Sequence, residues 1–412
     1  MKLYIDNLIS FIIICYFCTF IIWPLPIRAA IYSLILLCEL YYIFKINPYY
    51  HILRTNIMGI YLLIYIMYII AHLCFISSDF ESLGVGAYQY LFYSSFLLFS
   101  LYISKHTTIT RFQNMLCLIG VLDIMVGMLE YILQVPLFRN SDNIGFLAEG
   151  ETYFRASSFF TAPMIFGDWA GIFALSSLNL YHTQKNKLYI LLFIIFICGV
   201  IISYSRGSWL ATLIGLGVYF YLLLKKKNLS RIQKIILYFI IFIGGALYCG
   251  NMNDNDVALF NFINSIGDFE TNQSNVGRMY AWMLAVDTLT SDIHNLVFGI
   301  GFAKTGAFST SLFVTESGVL KRLVEGGIFF GFIYYTMIVF FMLKLNLIMK
   351  NESCEKNKLK LIYLIAVITL ILLHDITLQV TEDCSISFAF WYVISWIFIK
   401  CNNLTNKKDY KM

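Results

Sequence analysis

Residues 188–224 read LYILLFIIFICGVIISYSRGSWLATLIGLGVYFYLLL, an apolar run with a single polar interruption at Tyr204-Ser205-Arg206-Gly207-Ser208-Trp209. A guanidinium inside hydrocarbon costs roughly 2.5–3.5 kcal/mol on insertion scales, so Arg206 must lie at a membrane interface or in a polar cavity. A membrane helix needs about 20 mostly apolar residues. The run therefore predicts two membrane helices joined by a tight, exposed turn that presents Arg206 to the outside.

Small residues surround this arginine. Ser203, Ser205, Gly207 and Ser208 leave room for a ligand, and their hydroxyls can satisfy the backbone or a bound anion. Trp209 follows at a position where tryptophan anchors a helix at the membrane surface. The turn is thus a candidate binding site as well as a connection.

The composition indicates a polytopic membrane protein. Hydrophobic residues make up 59 % of the chain and charged residues 13 %, whereas a soluble domain carries about 25 % charged residues. The net charge of +5 does not indicate nucleic-acid binding, because the lysines fall in membrane-flanking loops. The ten cysteines lie mostly in apolar runs, so we predict no metal site and no cofactor. The first apolar run, 8–23, is predicted to be a retained signal anchor.

The fold prediction is an all-α, polytopic membrane protein of about twelve transmembrane helices, with residues 1–412 as a single integral membrane domain. The predicted spans are 8–23, 27–44, 57–76, 84–103, 112–134, 162–180, 188–203, 208–224, 232–249, 326–347, 359–378 and 385–399.

Basic residues predict the orientation, because cytoplasmic loops are enriched in lysine and arginine. With the N-terminus inside, the inner loops hold most of the 29 basic residues, mainly as lysines. The predicted outer side holds mainly arginines: Arg28, Arg139, Arg155, Arg206, Arg278, Lys304, Lys321 and Arg322. Arginine grips phosphate in bidentate fashion, so this division hints at an anionic ligand outside. Both termini are predicted to be cytoplasmic, with residues 402–412 as a disordered tail.

Two predicted outer segments are long. The first, 135–161, carries Arg155. The second, 250–325, is the largest piece outside the predicted spans and contains an amphipathic helix at 277–290, with Arg278 at its start. A glycine turn follows at Phe298-Gly299-Ile300-Gly301-Phe302, but no strand precedes it, so we reject a dinucleotide site. The halves of the chain show no internal repeat, which disfavours a transporter built from two similar halves.

These pieces, taken in order, resemble a known family. They are Arg155-Ala156-Ser157-Ser158, then Ser205-Arg206-Gly207-Ser208-Trp209, then Gly277-Arg278, the glycine turn at 298–302, and a Leu-rich helix with Glu325-Gly326-Gly327. The order is similar to that of the O-antigen polymerase (Wzy-type) and O-antigen ligase superfamily of polytopic membrane glycosyltransferases. The likeness covers about 155–347 and implies a GT-C-like membrane fold with a large extracytoplasmic loop.

Within that family, ligases typically carry a histidine just before the late Leu-rich helix. Here that place holds Thr315-Glu316-Ser317, while His294 lies earlier and His374 lies in another predicted span. The departure favours a repeat-unit polymerase, for O-antigen or capsular polysaccharide, over a ligase that transfers glycan to lipid A-core.

The resemblance implies transfer of a growing glycan from undecaprenyl pyrophosphate to a new lipid-linked repeat unit. Positive charge must stabilise the leaving pyrophosphate, and a base is expected to take the acceptor proton. We assign Arg206 and Arg278 to the catalytic pyrophosphate site, with Arg155 as a further substrate ligand, and Glu316 as the acceptor base. Arg322 either binds phosphate or pairs with Glu325 three residues on. The alternatives are an interfacial role for Arg206 and a helix-start carboxylate for Glu316.

The implied partners are an undecaprenyl-pyrophosphate-linked oligosaccharide, membrane lipid and a chain-length regulator protein. The implied location is the bacterial plasma (inner) membrane, with the active site on the periplasmic or outer face. A lipid-linked oligosaccharide flippase is the rival from another class, but a flippase is expected to place cations deep within its spans. A structural subunit is disfavoured by the cost of Arg206 in an apolar run.

Overall fold

Helices make up nearly all of the described chain. The structure is a computed structural model that describes residues 11–19, 25–45, 57–76, 80–138, 154–225, 273–306 and 313–409. Within these ranges no strand forms, and the one extended pairing is an isolated bridge between Thr305 and Phe313. The all-α prediction is confirmed for this part of the chain.

The helices are numbered in chain order, and residues 11–18 form a further helical segment before them. Their bounds are α1 Leu25–Lys45, α2 Ile57–Phe75, α3 Phe80–Gly86, α4 Tyr93–His106, α5 Ile109–Leu133, α6 Pro163–Gln184, α7 Leu188–Ile202, α8 Arg206–Leu224, α9 Gln273–Thr290, α10 Ile293–Phe298, α11 Gly318–Asn351, α12 Glu355–Thr377 and α13 Cys384–Asp409. A π-helical segment, Ala87–Phe92, joins α3 to α4, and a 3₁₀ turn, Val380–Glu382, joins α12 to α13.

Four of these helices are long and apolar enough to cross a membrane: α5, α8, α11 and α12. Shorter apolar segments at 26–37, 59–75, 188–202 and 384–399 follow the same pattern. The predicted span 232–249 lies outside the described residues, and 8–23 lies only partly within them. The total of twelve spans therefore stays a prediction.

Helix α6 is the centre of the bundle. It is buried on nearly all of its faces and packs against α5, α7, α8 and α12. Three of its buried polar side chains find partners on neighbouring helices: Ser176 Oγ with Tyr363 OH at 2.9 Å, Asn179 Nδ2 with Gln113 Oε1 at 3.0 Å, and His182 Nδ1 with Tyr219 OH at 2.8 Å. Buried polar groups without partners are costly in an apolar surrounding, so these pairs fix how α6 is rotated against its neighbours.

Two helices run further than the sequence predicts. The predicted span 326–347 is part of the 34-residue helix α11, which begins at Gly318. Its additional first turns carry charged residues, and these are buried in pairs rather than exposed. Helix α13 continues to Asp409, although residues 402–412 are predicted to be a disordered tail. Once a helix has formed, each further residue adds one hydrogen bond, so a span readily extends into polar sequence.

Helix α11 contains a break at Gly327. This residue has φ 72° and ψ 178°, a conformation that is essentially restricted to glycine. The break frees the carbonyls of Val324 and Glu325, and the predicted glycine turn satisfies them: Ile300 N–H donates to Val324 O at 2.9 Å and Gly301 N–H to Glu325 O at 3.1 Å. The glycine turn at 298–302 thus supplies the hydrogen-bond donors that the break in α11 requires. This one interaction accounts for the glycines of the turn and for the glycine at the break.

We expect Gly327→Ala to destabilise the protein by roughly 2–3 kcal/mol, because it forces a side chain into a glycine-only conformation. The added Cβ would also overlap the backbone carbonyl of Val297. Gly217→Ala is the matched control, since a Cβ at Gly217 in α8 meets no atom within 4 Å. Denaturation in mixed micelles measures both variants. Equal stability of the Gly327→Ala variant and the parent protein would contradict this account of the break.

Candidate active site

The Arg206 turn is short, as predicted. Helix α7 ends at Ile202 and α8 begins at Arg206, with the Ser205 side chain as N-cap. The hydroxyls near the turn donate hydrogen bonds to backbone carbonyls of the protein. Ser203 Oγ donates to Val200 O at 2.6 Å, and Ser208 Oγ donates to Met164 O at 2.8 Å. The turn is therefore locked to the end of α7 and to the start of α6.

Trp209 packs inside the protein beside this turn. Its side chain is buried, and its indole N–H donates to Val200 O at 2.7 Å. Val200 O near the end of α7 thus accepts hydrogen bonds from both Trp209 and Ser203, so the Trp209 side chain closes the short turn from inside the bundle.

Arg206 is half-buried and faces α9. Its Nη1 donates to Asn275 Oδ1 at 3.4 Å, and Asn275 is buried in the first turn of α9. The contact brings the helix that carries Arg278 against the Arg206 turn. The positive end of the α8 dipole points the same way, which favours an anion at this end of α8.

Arg155 lies beside the same turn. Ala156 N–H donates to Ile202 O at 3.2 Å, which attaches the Arg155 segment to the end of α7. Glu130 of α5 fixes the next residues, because its carboxylate accepts from the backbone N–H of Ser157 at 2.9 Å and Ser158 at 2.7 Å. The predicted outer segment 135–161 is therefore pinned at its end, while residues 139–153 lie outside the described chain.

Arg278 and Glu316 form an ion pair. Arg278 Nε lies 3.5 Å from Glu316 Oε2, and both side chains are about one-third exposed, at 34 % and 37 %. The pair joins α9 to the turn before α11, where Glu316 has a left-handed φ of 53°. The sequence assigns these residues separate roles, as pyrophosphate ligand and acceptor base, and the structure brings them into contact.

Arg322 does not pair with Glu325, its predicted neighbour three residues on. Its guanidinium Nη1 lies 2.5 Å from Asp375 Oδ2 and donates to Gly318 O at 2.8 Å, while Nη2 contacts Thr381. The guanidinium also lies 4.4 Å from the centre of the Tyr334 ring. Protein groups on α11, α12 and the α12–α13 connection thus hold Arg322, and Asp375 gains a role that the sequence did not assign.

Lys321 and Glu325 belong to a second buried network beside that pair. Lys321 Nζ lies 3.4 Å from Glu325 Oε1 and 2.5 Å from Glu382 Oε1. Glu325 also accepts from Tyr90 OH at 2.7 Å and from the backbone N–H of Thr305 at 2.8 Å. Charges are retained in such surroundings only when they are paired and hydrogen-bonded, and this network meets that condition.

A histidine and an aspartate are buried beneath the Arg206 turn. His374 Nδ1 lies 2.7 Å from the Asp168 carboxylate, and both side chains are almost fully buried. On its other side the His374 ring lies against Gly207, so closely that a Cβ there would overlap Nε2. The last turn of α12 therefore contacts the start of α8 through His374 and the start of α11 through Asp375.

A comparison with known protein families matches residues 191–336 to the model described as O-antigen ligase. Residues 191–336 of this chain therefore resemble the O-antigen ligase family, which supports a place in the O-antigen ligase and polymerase superfamily. The resemblance found in the sequence motifs is confirmed. A search of curated proteins found no match for the chain.

The O-antigen ligase domain contains most of the residues assigned from the sequence. Arg206, Arg278, Glu316 and Arg322 lie within the matched range, and Arg155 lies outside it. Members of this family are glycosyltransferase-like enzymes that act on lipid-linked oligosaccharides in membranes, and they include both ligases and polymerases. Among the described residues no group of side chains could hold a metal ion.

The sequence alone assigned no role to the residues that support the domain from other helices. Glu130, Asp168 and Asp375 all lie in predicted spans, and Glu382 lies just beyond one. The signal was present, because ionisable residues within membrane spans are costly and usually functional. Their partners could not be found, since 206 residues separate Asp168 from His374 and 53 separate Arg322 from Asp375.

Proposed function

We propose that this member of the O-antigen ligase superfamily is a repeat-unit polymerase. It transfers the growing undecaprenyl-pyrophosphate-linked glycan onto a new lipid-linked repeat unit, for O-antigen or capsular polysaccharide. The observation that carries the proposal is the convergence of the Arg155, Arg206 and Arg278 segments at one end of the bundle, within and beside the O-antigen ligase domain. This end is proposed to face the periplasm or cell exterior.

The convergence suits a pyrophosphate leaving group. Arginine offers a planar fork of donors that matches phosphate geometry, and preorganised positive charge stabilises the charge that develops as the glycosidic bond breaks. The Arg206 guanidinium is held in place by a short capped turn, while Arg278 is one-third exposed and paired with Glu316. Arg206 is thus the fixed ligand of the proposed site, and Arg278 reaches the same site from α9.

The residue before α11 favours polymerase over ligase. In the ligases that the sequence resembles, a histidine occupies this place, whereas here Glu316 occupies it and pairs with Arg278. Ligase activity toward lipid A-core is the alternative within the family. The arginines lie at one end of the bundle, which argues against a flippase, since a flippase would carry charge along a path between its spans.

Reconstitution in liposomes tests this function. We expect the purified protein, given undecaprenyl-pyrophosphate-linked repeat units as the sole substrate, to yield a ladder of lipid-linked glycans on a gel. A ligase would elongate nothing and would transfer glycan only when lipid A-core is added. A flippase would move repeat units across the bilayer without a longer product. Either of the latter results would contradict the proposal.

A further inference from the structure

A small cavity lies beside the buried charges, at the same end of the bundle as the arginines. Its volume is about 40 Å³, which corresponds to roughly three water-sized groups at about 10–15 Å³ each. Its polar lining comes from the π-helical segment, α11 and the α12–α13 connection, and includes Gln89, Tyr90, Arg322, Thr381 and Glu382. The cavity is too small for a whole sugar ring, but it accommodates hydroxyl groups.

The walls of the cavity suit a polyhydroxylated ligand. A hydroxyl both donates and accepts a hydrogen bond. The Arg322 guanidinium supplies donors, while the Gln89 amide oxygen and the Glu382 carboxylate supply acceptors. Aromatic rings of Tyr65, Tyr334 and Trp391 complete the lining, so apolar ring faces lie next to polar groups. Aromatic residues with a polar edge are the side chains that combine apolar contact with hydrogen bonding.

The cluster of buried charges has one more carboxylate than it has cations, so one of its carboxylates can hold a proton. Three carboxylates, those of Glu325, Asp375 and Glu382, face two cations, Lys321 and Arg322. Burial raises the pKa of Glu382 to about 7, and the nearby Glu325 carboxylate acts in the same direction while Lys321 and Arg322 oppose it. Glu382 is the carboxylate of this cluster that lines the cavity and lies in the connection between α12 and α13.

The cavity and the Arg206 turn share one structural support. Consecutive residues in the last turn of α12 contact them: His374 packs against Gly207, and Asp375 holds Arg322 in the cavity wall. Ser317, beside the Glu316 that pairs with Arg278, donates to Ile376 O at 2.7 Å in the same turn. The proposed pyrophosphate ligands and the cavity are therefore both attached to the same helix end.

We propose that this cavity receives the attacking hydroxyl of the acceptor sugar and that Glu382 accepts its proton. The proposal rests on the polymerase function and replaces Glu316 as the base. The acceptor O–H bond breaks and its proton moves to the Glu382 carboxylate. The acceptor oxygen forms a bond to the anomeric carbon of the donor. The bond from that carbon to the pyrophosphate oxygen breaks, and its electron pair leaves with the pyrophosphate.

Glu382→Gln tests the proton transfer, because it keeps the shape of the side chain and removes its basicity. We expect kcat for polymerisation to fall about 100-fold or more, with the KM for the lipid-linked donor unchanged. In the parent protein the rate should rise as the pH increases through about 7, since a base with a raised pKa acts only when it is deprotonated. This acid limb should disappear in the residual rate of the variant. Glu355→Gln, at an exposed site at the other end of α12, is the matched control.

Ser387→Leu tests the cavity without changing Glu382, because Ser387 lines it from α13. We expect about a 10-fold rise in the KM for the acceptor repeat unit, with the donor KM unchanged. An unchanged acceptor KM in a folded Ser387→Leu protein would overturn the assignment of the cavity.

The two proposals fail in different ways. A parent protein that makes no polymer overturns the polymerase function itself. A polymerising parent whose Glu382→Gln variant stays within about threefold of its rate and keeps the acid limb overturns only the role of Glu382. If that variant instead binds the lipid-linked donor less tightly and has lower thermal stability, Glu382 forms a structural ion pair with Lys321. That result also overturns its role as the base.

Discussion

Arg206→Lys is expected to lower polymerisation about 100-fold or more, although it keeps the positive charge at the turn. Lysine is a flexible point charge and cannot place two parallel donors on one phosphate, whereas the guanidinium fork can. In this protein the fork is set by the N-cap at Ser205 and by Asn275, which lies 3.4 Å from Nη1. A lysine amine at the same backbone position would contact one oxygen at a time.

The measurement is the initial rate of ladder formation in liposomes, together with inhibition by undecaprenyl pyrophosphate. Product inhibition should weaken in parallel with kcat, because the same fork binds the leaving group. Arg111→Lys serves as the control, since Arg111 is an exposed arginine in the first turn of α5. A rate for Arg206→Lys within about threefold of the parent rate would rule out Arg206 as the pyrophosphate ligand.

The second large effect concerns stability. Removing one partner of the buried Arg322–Asp375 pair, as in Asp375→Asn or Arg322→Met, is expected to cost roughly 3–5 kcal/mol in the free energy of unfolding. Each change leaves an uncompensated charge among α11, α12 and the α12–α13 connection. The double variant Arg322→Met with Asp375→Leu should recover much of this loss, because an apolar pair of similar volume avoids burying charge.

A double-mutant cycle from denaturation in mixed micelles separates the pair from its surroundings. Lys350→Met provides the comparison, since it removes an exposed cation from the other end of the same helix. Single variants as stable as Lys350→Met would show that the pair contributes little. A double variant less stable than both single variants would show that the network around Thr381 and Tyr334, not the ion pair, determines stability.

The Arg206 turn was the part of this site that could be predicted from the sequence. Placing a charged residue among apolar neighbours inside a membrane costs free energy. That cost alone predicts that the helix breaks at Arg206 and that the connecting turn is short. These inferences need only local sequence, which is why they agree with the structure.

Arg322 shows why the rest could not be predicted. Local spacing offers Glu325 as its partner, since residues three apart on a helix are neighbours. Tertiary packing instead supplies Asp375 from another helix, and Glu325 pairs with Lys321 one turn back. Which buried charges meet depends on how helices are rotated, and a single sequence does not reveal that rotation.

The break at Gly327 has a consequence for how deeply the reaction centre sits in the bilayer. A straight helix of 34 residues would be about 51 Å long, far more than the roughly 30 Å of hydrocarbon. Residues 328–351 alone are about 36 Å long, close to one tilted crossing. If this segment is the crossing, the charged turns before Gly327 would lie at the level of the lipid headgroups, where the pyrophosphate of the proposed membrane-anchored donor would also lie. Under the proposed function, one glycine would set the depth in the bilayer at which the protein meets its lipid-linked substrate.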